Sequence, residues 1–206
     1  MFALIDNQQI TKFYSGNRGV TLGDIQYPKS IFTLWSEAER NAIGIFEVTV
    51  DTTNKKDEKW YINTNVSYGV ESNKAVGSYG VATAKAIDDT LWTQEDLDNE
   101  DLPSDKSVGD VKTEGLKTQL IRTVKQQAAG ILQDTDWYVV RKADAGTAVP
   151  SAITTHRAAV RTKAAEMETA ITNASDTPAL ETLYTYTEQE DGSVTRPLGE
   201  LPTLES

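Results

Sequence analysis

The chain has 206 residues, a formal net charge of −11, no cysteine and a single histidine. Without cysteine it cannot form a disulfide framework, a thiolate metal site or a cysteine nucleophile, and one histidine cannot supply the paired imidazoles of a typical zinc or iron site. The acidic balance disfavours nucleic acid and anionic membranes as partners, and no apolar run approaches the roughly 20 residues that a membrane span needs.

The first part of the chain, residues 1–92, has the composition of a small β-rich domain. Short runs of β-branched and aromatic residues at 2–5, 10–14, 45–50 and 60–70 favour strands, and residues 71–74 are predicted to form a hairpin turn. Between the second and third runs, Ser36 and Glu39 form the Ser-x-x-Glu pattern of a capping box. This pattern predicts one short helix that ends at Gly44.

Acidic residues are concentrated in two segments that follow this domain. Residues 93–111 contain seven acids and one base, and residues 174–206 contain the same numbers, so that each segment carries a charge of −6. Repulsion within such a run favours an extended chain. We therefore predict an acidic linker at 93–112 and an acidic, proline-containing tail at 174–206.

Residues 113–173 are predicted to form a helical hairpin, which gives the chain an α+β fold class. Apolar residues recur at intervals of three and four, the spacing of one helix face. The two stripes are Leu116, Leu120, Val124, Ala128 and Ile131, and then Ile153, Val160, Ala164, Met167 and Ile171. The connector is predicted to begin with an anchored Trp137 and a short extended stretch. Two such helices leave apolar surface that the β domain, a second copy or a partner chain must cover.

None of the side-chain patterns predicts catalysis or a cofactor site. His156 has no nucleophile-elbow pattern near it, so we interpret it as a surface or packing residue. Gly77 and Gly80 lack the context of a nucleotide-binding loop. The carboxylates at 95–101 lack the glycine of an EF-hand loop, and a solvated segment is the better interpretation. We expect a chain that is not an enzyme and that holds no metal or cofactor.

Two arginines of the second predicted helix, Arg157 and Arg161, are four residues apart and therefore share a face. In an antiparallel hairpin this face lies near the end of the first helix, where Asp134 and Asp136 sit unfavourably beside a negative helix terminus. We predict that Arg157 or Arg161 pairs with this turn. An arginine stacked on Trp137 would add a cation–π contact of about 0.5–2 kcal/mol.

Two short motifs of the predicted hairpin occur in a characteristic order. Leu132-Gln133-Asp134-Thr135-Asp136-Trp137 is followed, after a spacer, by Thr155-His156-Arg157-Ala158-Ala159-Val160-Arg161. This arrangement, over about residues 115–172, resembles the bacteriophage tail assembly chaperone family, which shows a Leu-x-x-Thr-Asp-Trp turn and a helix bearing Tyr-Arg-x-x-Leu-Arg. The resemblance implies that Asp136, Trp137, Arg157 and Arg161 occupy the family's motif positions. His156 stands where the family usually has Tyr, and Val160 stands where it has Leu.

The resemblance implies a short helical fold and a non-catalytic role in a phage tail. One expectation is an assembly chaperone or fibre-associated factor that binds a tail or tail-fibre protein in the host cytoplasm. The other is a permanent structural component of the virion tail, as an adaptor or fibre-associated subunit. A second copy of the chain is a further candidate partner. We expect the hairpin flanks and an aromatic β surface around Trp60 and Tyr68 to meet the partner.

Overall fold

Strands dominate the first part of the chain and helices dominate the second, which confirms the α+β fold class. The computed structural model describes residues 1–204. The chain is divided into two compact units, with the boundary between Thr83 and Ala84. The first unit therefore ends before residue 92, the end of the predicted β-rich domain.

The first unit is built mainly from short strands around one five-stranded sheet. Its regular elements are β1 (Phe2–Asp6), β2 (Gln9–Tyr14), β3 (Val20–Leu22), β4 (Ile25–Tyr27), a 3₁₀ turn (Lys29–Phe32), α1 (Glu37–Ala42), β5 (Ile45–Asp51), β6 (Tyr61–Ile62), β7 (Val66–Glu71) and β8 (Lys74–Tyr79). The two-residue strand β9 (Thr83–Ala84) lies at the boundary of the units.

The sheet of the first unit has the order β2-β1-β5-β8-β7, and only the β5–β8 pair is parallel. Its two hairpins turn through residue pairs with positive φ, Asn7 with Gln8 and Ser72 with Asn73. Such pairs match the right-handed twist of the flanking strands. Glu71 pairs with Lys74, which confirms the predicted hairpin turn.

The predicted capping box of α1 is present. The Ser36 side chain accepts a hydrogen bond from the backbone N–H of Glu39, and the Glu39 carboxylate accepts from the backbone N–H of Ser36 at 2.7 Å. Apolar side chains beside this helix form the core of the unit, in which Ile31 and Ile45 are fully buried. Hydrophobic burial of this kind is the main source of stability in a domain of this size.

The second unit contains the long helices. Its elements are β10 (Thr90–Leu91), α2 (Gln94–Asp98), β11 (Val111–Thr113), α3 (Leu116–Gln133), α4 (Asp136–Ala145), α5 (Ser151–Asn173), α6 (Thr177–Tyr184), β12 (Thr187–Glu188) and β13 (Val194–Thr195). The strands pair as two short antiparallel hairpins, β10 with β11 and β12 with β13.

Helices α3 and α5 bury the predicted apolar stripes against each other. Leu120 and Val124 are buried on α3, and Val160 and Met167 are buried on α5. The ion pair of Lys125 with Glu168 joins the middle of α3 to the later part of α5, while the start of α5 contacts the end of α3. The two helices are therefore antiparallel, as the hairpin prediction requires.

Three features of this unit differ from the sequence-based predictions. The acidic segment 93–112 is not an extended linker, because α2 lies within it and β11 begins in it. Its carboxylates are used locally: Asp96 completes a capping box with Thr93 and pairs with Lys112 at 2.5 Å. The connector after α3 is the helix α4 rather than an extended stretch. The tail 174–206 is more than an acidic tail, because α6 and Leu198 bury side chains within the unit.

Candidate interaction surface

Arg157 organises the junction between α3 and α4. One guanidinium nitrogen, Nη1, donates to the Leu132 carbonyl and to Thr135 Oγ1, each at 2.7 Å, and Nη2 pairs with Asp136 Oδ1 at 2.8 Å. The Leu132 carbonyl belongs to the last turn of α3, where backbone acceptors lack helical partners and carry partial negative charge. A single cation thus stabilises the end of one helix and the start of the next.

The arginine is held in a buried position that favours strong contacts. Arg157 is 8% exposed and Thr135 is 4% exposed, so their hydrogen bonds compete little with water. Hydrogen bonds from a charged donor are stronger than neutral ones, and leaving one unmade in a buried site is costly. The predicted pairing of an arginine with the Asp134–Asp136 turn is therefore present, through Arg157 and Asp136.

Of the two arginines considered for this pairing, it is Arg157 that pairs with the turn. Arg161 Nη1 donates instead to the carbonyl oxygen of Arg157 on its own helix, at 3.4 Å. The arginine that stacks on Trp137 is Arg141, whose Cζ lies 4.6 Å from the Trp137 ring centre and 5.4 Å from that of Tyr138. Arg141 was missed because its helix was not predicted, although its spacing of four residues from Trp137 is a helical signal.

Trp137 and Tyr138 form the base of a polar and aromatic stack on α4. Their ring centroids are 4.0 Å apart at an interplanar angle of 33°. The Nε atom of Arg141 is buried and has no hydrogen-bond partner among residues 1–204, and its guanidinium lies against the two rings. The stack therefore joins the first turn of α4 to the second.

The outer face of α4 exposes an unusual amount of apolar side chain. No residue of this helix is buried. Trp137 is 52% exposed, and Val140, three residues further along and therefore on the same helix face, is 65% exposed. We call these two residues the α4 surface. Exposed apolar residues that share one face of an ordered helix are typical of surfaces that bind another protein.

A groove of about 420 Å³ runs beside the α4 surface. Trp137 and Tyr138 line it from α4, Ile153 and His156 line it from α5, and Leu204 lines it from the end of the described chain. We call it the Trp137 groove. His156 is 8% exposed and lines the groove, which agrees with its interpretation as a packing residue.

The two aromatic residues predicted for the β surface lie in different environments. Trp60 is only 3% exposed, so it is an interior residue and does not present a surface to a partner. The Lys59 ammonium lies 4.4 Å from its ring centre. Tyr68 is 42% exposed and packs edge-on against Phe13, with ring centroids 4.9 Å apart. Of the pair, only Tyr68 belongs to an exposed aromatic patch.

Within residues 1–204, no group of three or more histidine, cysteine or acidic side chains is placed to hold a metal ion. In the same range, none of the helices has the length and apolar character needed to cross a membrane. No protein-family model, no curated protein and no solved structure matches the chain.

Proposed function

We propose that the chain is a non-catalytic bacteriophage tail protein that binds a tail or tail-fibre subunit through the α4 surface. The observation that carries the proposal is the combination of order and exposure in α4. Arg157 pairs with Asp136 at the start of this helix, and Arg141 stacks on Trp137. The apolar side chains of the helix are nevertheless exposed to solvent. Such preorganisation lowers the conformational entropy lost when a partner binds.

The assignment to a phage tail rests on the resemblance to tail assembly chaperones. Three of the four motif positions, Asp136, Trp137 and Arg157, lie together at the junction of α3 and α4. Subunits of an unfinished tail or fibre expose apolar surface that later becomes interface, and a chaperone must contact that surface. An apolar helix face on an acidic, soluble chain has the chemistry for this contact.

Affinity purification from infected cells tests the proposal. The chain is tagged and expressed during infection, and the proteins that co-purify are quantified by mass spectrometry. We expect tail or fibre subunits among them. Val140→Asp should reduce their recovery about tenfold, because a charge at a desolvated contact costs at least 1.4 kcal/mol of binding free energy.

Val194→Asp is the matched control, since Val194 lies on β13 of the same unit and is 60% exposed, close to the 65% of Val140. It should recover the partner as the unchanged chain does. Equal recovery by Val140→Asp and the unchanged chain would show that α4 does not carry the binding. Recovery of proteins unrelated to tails would overturn the phage assignment.

The proposal has two forms, an assembly chaperone and a permanent structural component of the tail, which differ in whether the protein stays in the mature particle. Quantitative mass spectrometry of purified particles, beside the lysate of infected cells, separates them. A chaperone is expected to be abundant in the lysate and present only in traces in particles. A stoichiometric signal in the particles would make the chain a permanent structural component instead.

A further inference from the structure

Arg141 on α4 carries a charge that the described residues leave without a counter-ion. Its buried Nε atom has no hydrogen-bond partner, and no carboxylate of residues 1–204 forms an ion pair with its guanidinium. The side chain contacts ring faces instead, those of Trp137 and Tyr138. Buried polar groups nearly always have a hydrogen-bond partner. This donor therefore needs an acceptor that the described part of the chain does not supply.

Another arginine of the same unit, Arg196, shows the contact that Arg141 lacks. The Cζ atom of Arg196 lies 5.2 Å from the ring centre of Tyr184 and 5.2 Å from that of Tyr186, and its Nε atom pairs with the Glu200 carboxylate at 2.8 Å. A guanidinium that stacks on an aromatic face can still donate its N–H groups to a carboxylate, which accepts two of them side by side. Arg141 has the two rings and the cation of such a site, and within residues 1–204 it has no carboxylate.

The charges next to Arg141 on α4 do not neutralise it. Asp144 is three residues further along the helix, a spacing at which an aspartate and an arginine can pair, yet the two form no ion pair. Lys142 adds a second cation that has no carboxylate partner among the described residues. Arg141 itself is partly exposed, so that a second protein can reach its guanidinium. The complementary group is therefore an anion on that second protein.

We infer that Arg141 binds a carboxylate of the partner protein, the side chain of an aspartate or glutamate that lies next to an apolar residue. The inference rests on the proposed function, because it names the chemistry of the partner at the α4 surface. The apolar residue packs on Trp137 and Val140, and the carboxylate accepts hydrogen bonds from the guanidinium beside them. Tryptophan, tyrosine and arginine are the residue types that most often dominate the binding energy of an interface, and α4 carries all three, as Trp137, Tyr138 and Arg141.

A peptide titration of the full chain, followed by NMR of the arginine Nε–H groups, tests the inference. The probe is the peptide Ala-Leu-Glu-Leu-Ala, acetylated and amidated at its ends, and the matched probe carries Gln in place of Glu. We expect the Nε–H resonance of Arg141 to shift saturably with the Glu peptide. The Gln peptide should bind at least about tenfold more weakly, because a charged donor bonds a carboxylate more strongly than a neutral amide. Arg141→Gln should remove this difference between the peptides.

Arg161→Gln is the matched control, since Arg161 lies in the same unit and donates to a backbone carbonyl of its own helix. It should bind the Glu peptide as the unchanged chain does. Glu205→Gln removes a carboxylate that lies outside the described residues, and it should also leave the affinity unchanged. Tighter peptide binding by Glu205→Gln would mean that the chain's own end occupies Arg141, and would overturn the inference.

The comparison of the two peptides uses the unchanged chain, so it does not depend on the folding of any variant. An Arg141 resonance that does not move, or equal affinity for the Glu and Gln peptides, would overturn the inference. Binding of the Glu peptide at Arg141 without recovery of tail proteins from infected cells would retain the carboxylate site and reject the phage proposal. Recovery of tail proteins by the unchanged chain and by Arg141→Gln alike, without peptide binding, would do the reverse.

Discussion

Helices α4 and α5 are neighbours in sequence and illustrate two ways of stabilising a helix. Seven residues of α5 are buried, at the three- and four-residue spacing of one helix face, whereas none of α4 is buried. Packing holds α5 in place, while an ion pair, a stack and a terminal glycine hold α4. A helix that does not need its outer face for folding can use that face for binding.

The strongest test of this difference is the same substitution in both helices. Val160 on α5 is fully buried and Val140 on α4 is 65% exposed. Val160→Asp should lower the free energy of unfolding of the second unit by more than about 3 kcal/mol, because an unpaired charge would be buried. Val140→Asp should change it by less than about 0.5 kcal/mol. Urea unfolding followed by circular dichroism measures both. Comparable losses in the two variants would mean that the outer face of α4 is part of the fold.

The second test removes the anchor of α4. Arg157→Ala breaks three contacts and leaves the Leu132 carbonyl, Thr135 and Asp136 without their cation. We expect a loss of about 2–4 kcal/mol in stability. Hydrogen exchange should accelerate most in residues 136–145, since this helix has no core of its own. Arg161→Ala is the control on the same helix and should stay within about 0.5 kcal/mol of the unchanged chain.

The same difference explains which helix could be predicted from the sequence. The apolar spacing of α5 is a local pattern, and it predicted both the helix and its buried face. In α4 the adjacent β-branched residues Val139 and Val140 favour a strand. The contact that stabilises the start of α4 comes from Arg157, which is 22 residues from Thr135, the residue that precedes this helix. A local pattern cannot show such a contact.

The candidate site was predictable to a similar degree. Asp136, Trp137 and Arg157 were found because their order and spacing form a pattern, and the prediction that an arginine meets this turn is confirmed. Arg141 and Leu204 were missed. Arg141 depended on a helix that was not predicted, and Leu204 lies in a segment that was predicted to be an acidic, proline-containing tail. Trp60 was wrongly predicted to lie on an exposed surface, because residue type alone does not distinguish a buried aromatic side chain from an exposed one.

A third, smaller test uses two glycines. Gly146 ends α4 with a φ of +69°, a conformation that costs other residues roughly 1–2 kcal/mol, so Gly146→Ala should destabilise the unit by about 1 kcal/mol. Gly130 lies inside α3, and a Cβ atom there would meet nothing within 4 Å. Gly130→Ala should therefore stabilise the unit by about 0.5–1 kcal/mol. Opposite shifts of the urea midpoint are expected, and a stabilising Gly146→Ala would show that the end of α4 is not held as described.

The smallest effect concerns α2, the other helix of this unit that buries no residue. Hydrogen bonds from Lys112 and from Thr93 lower the pKa of the Asp96 carboxyl from 3.8 to about 2. Because the pKa is lower in the folded state, the ionised carboxylate stabilises the fold above about pH 4, and this contribution is lost as the pH falls towards 2.

Asp96→Asn should therefore reduce the urea midpoint at pH 5 and make little difference near pH 2. The ¹³C shift of the Asp96 carboxyl should titrate near pH 2 in the unchanged chain and nearer 3.8 in Lys112→Ala. An unaltered urea midpoint in Lys112→Ala would mean that polar contacts at its terminus do not hold α2. Of the two helices of this unit that bury no residue, α4 alone would then be held by polar contacts rather than by packing.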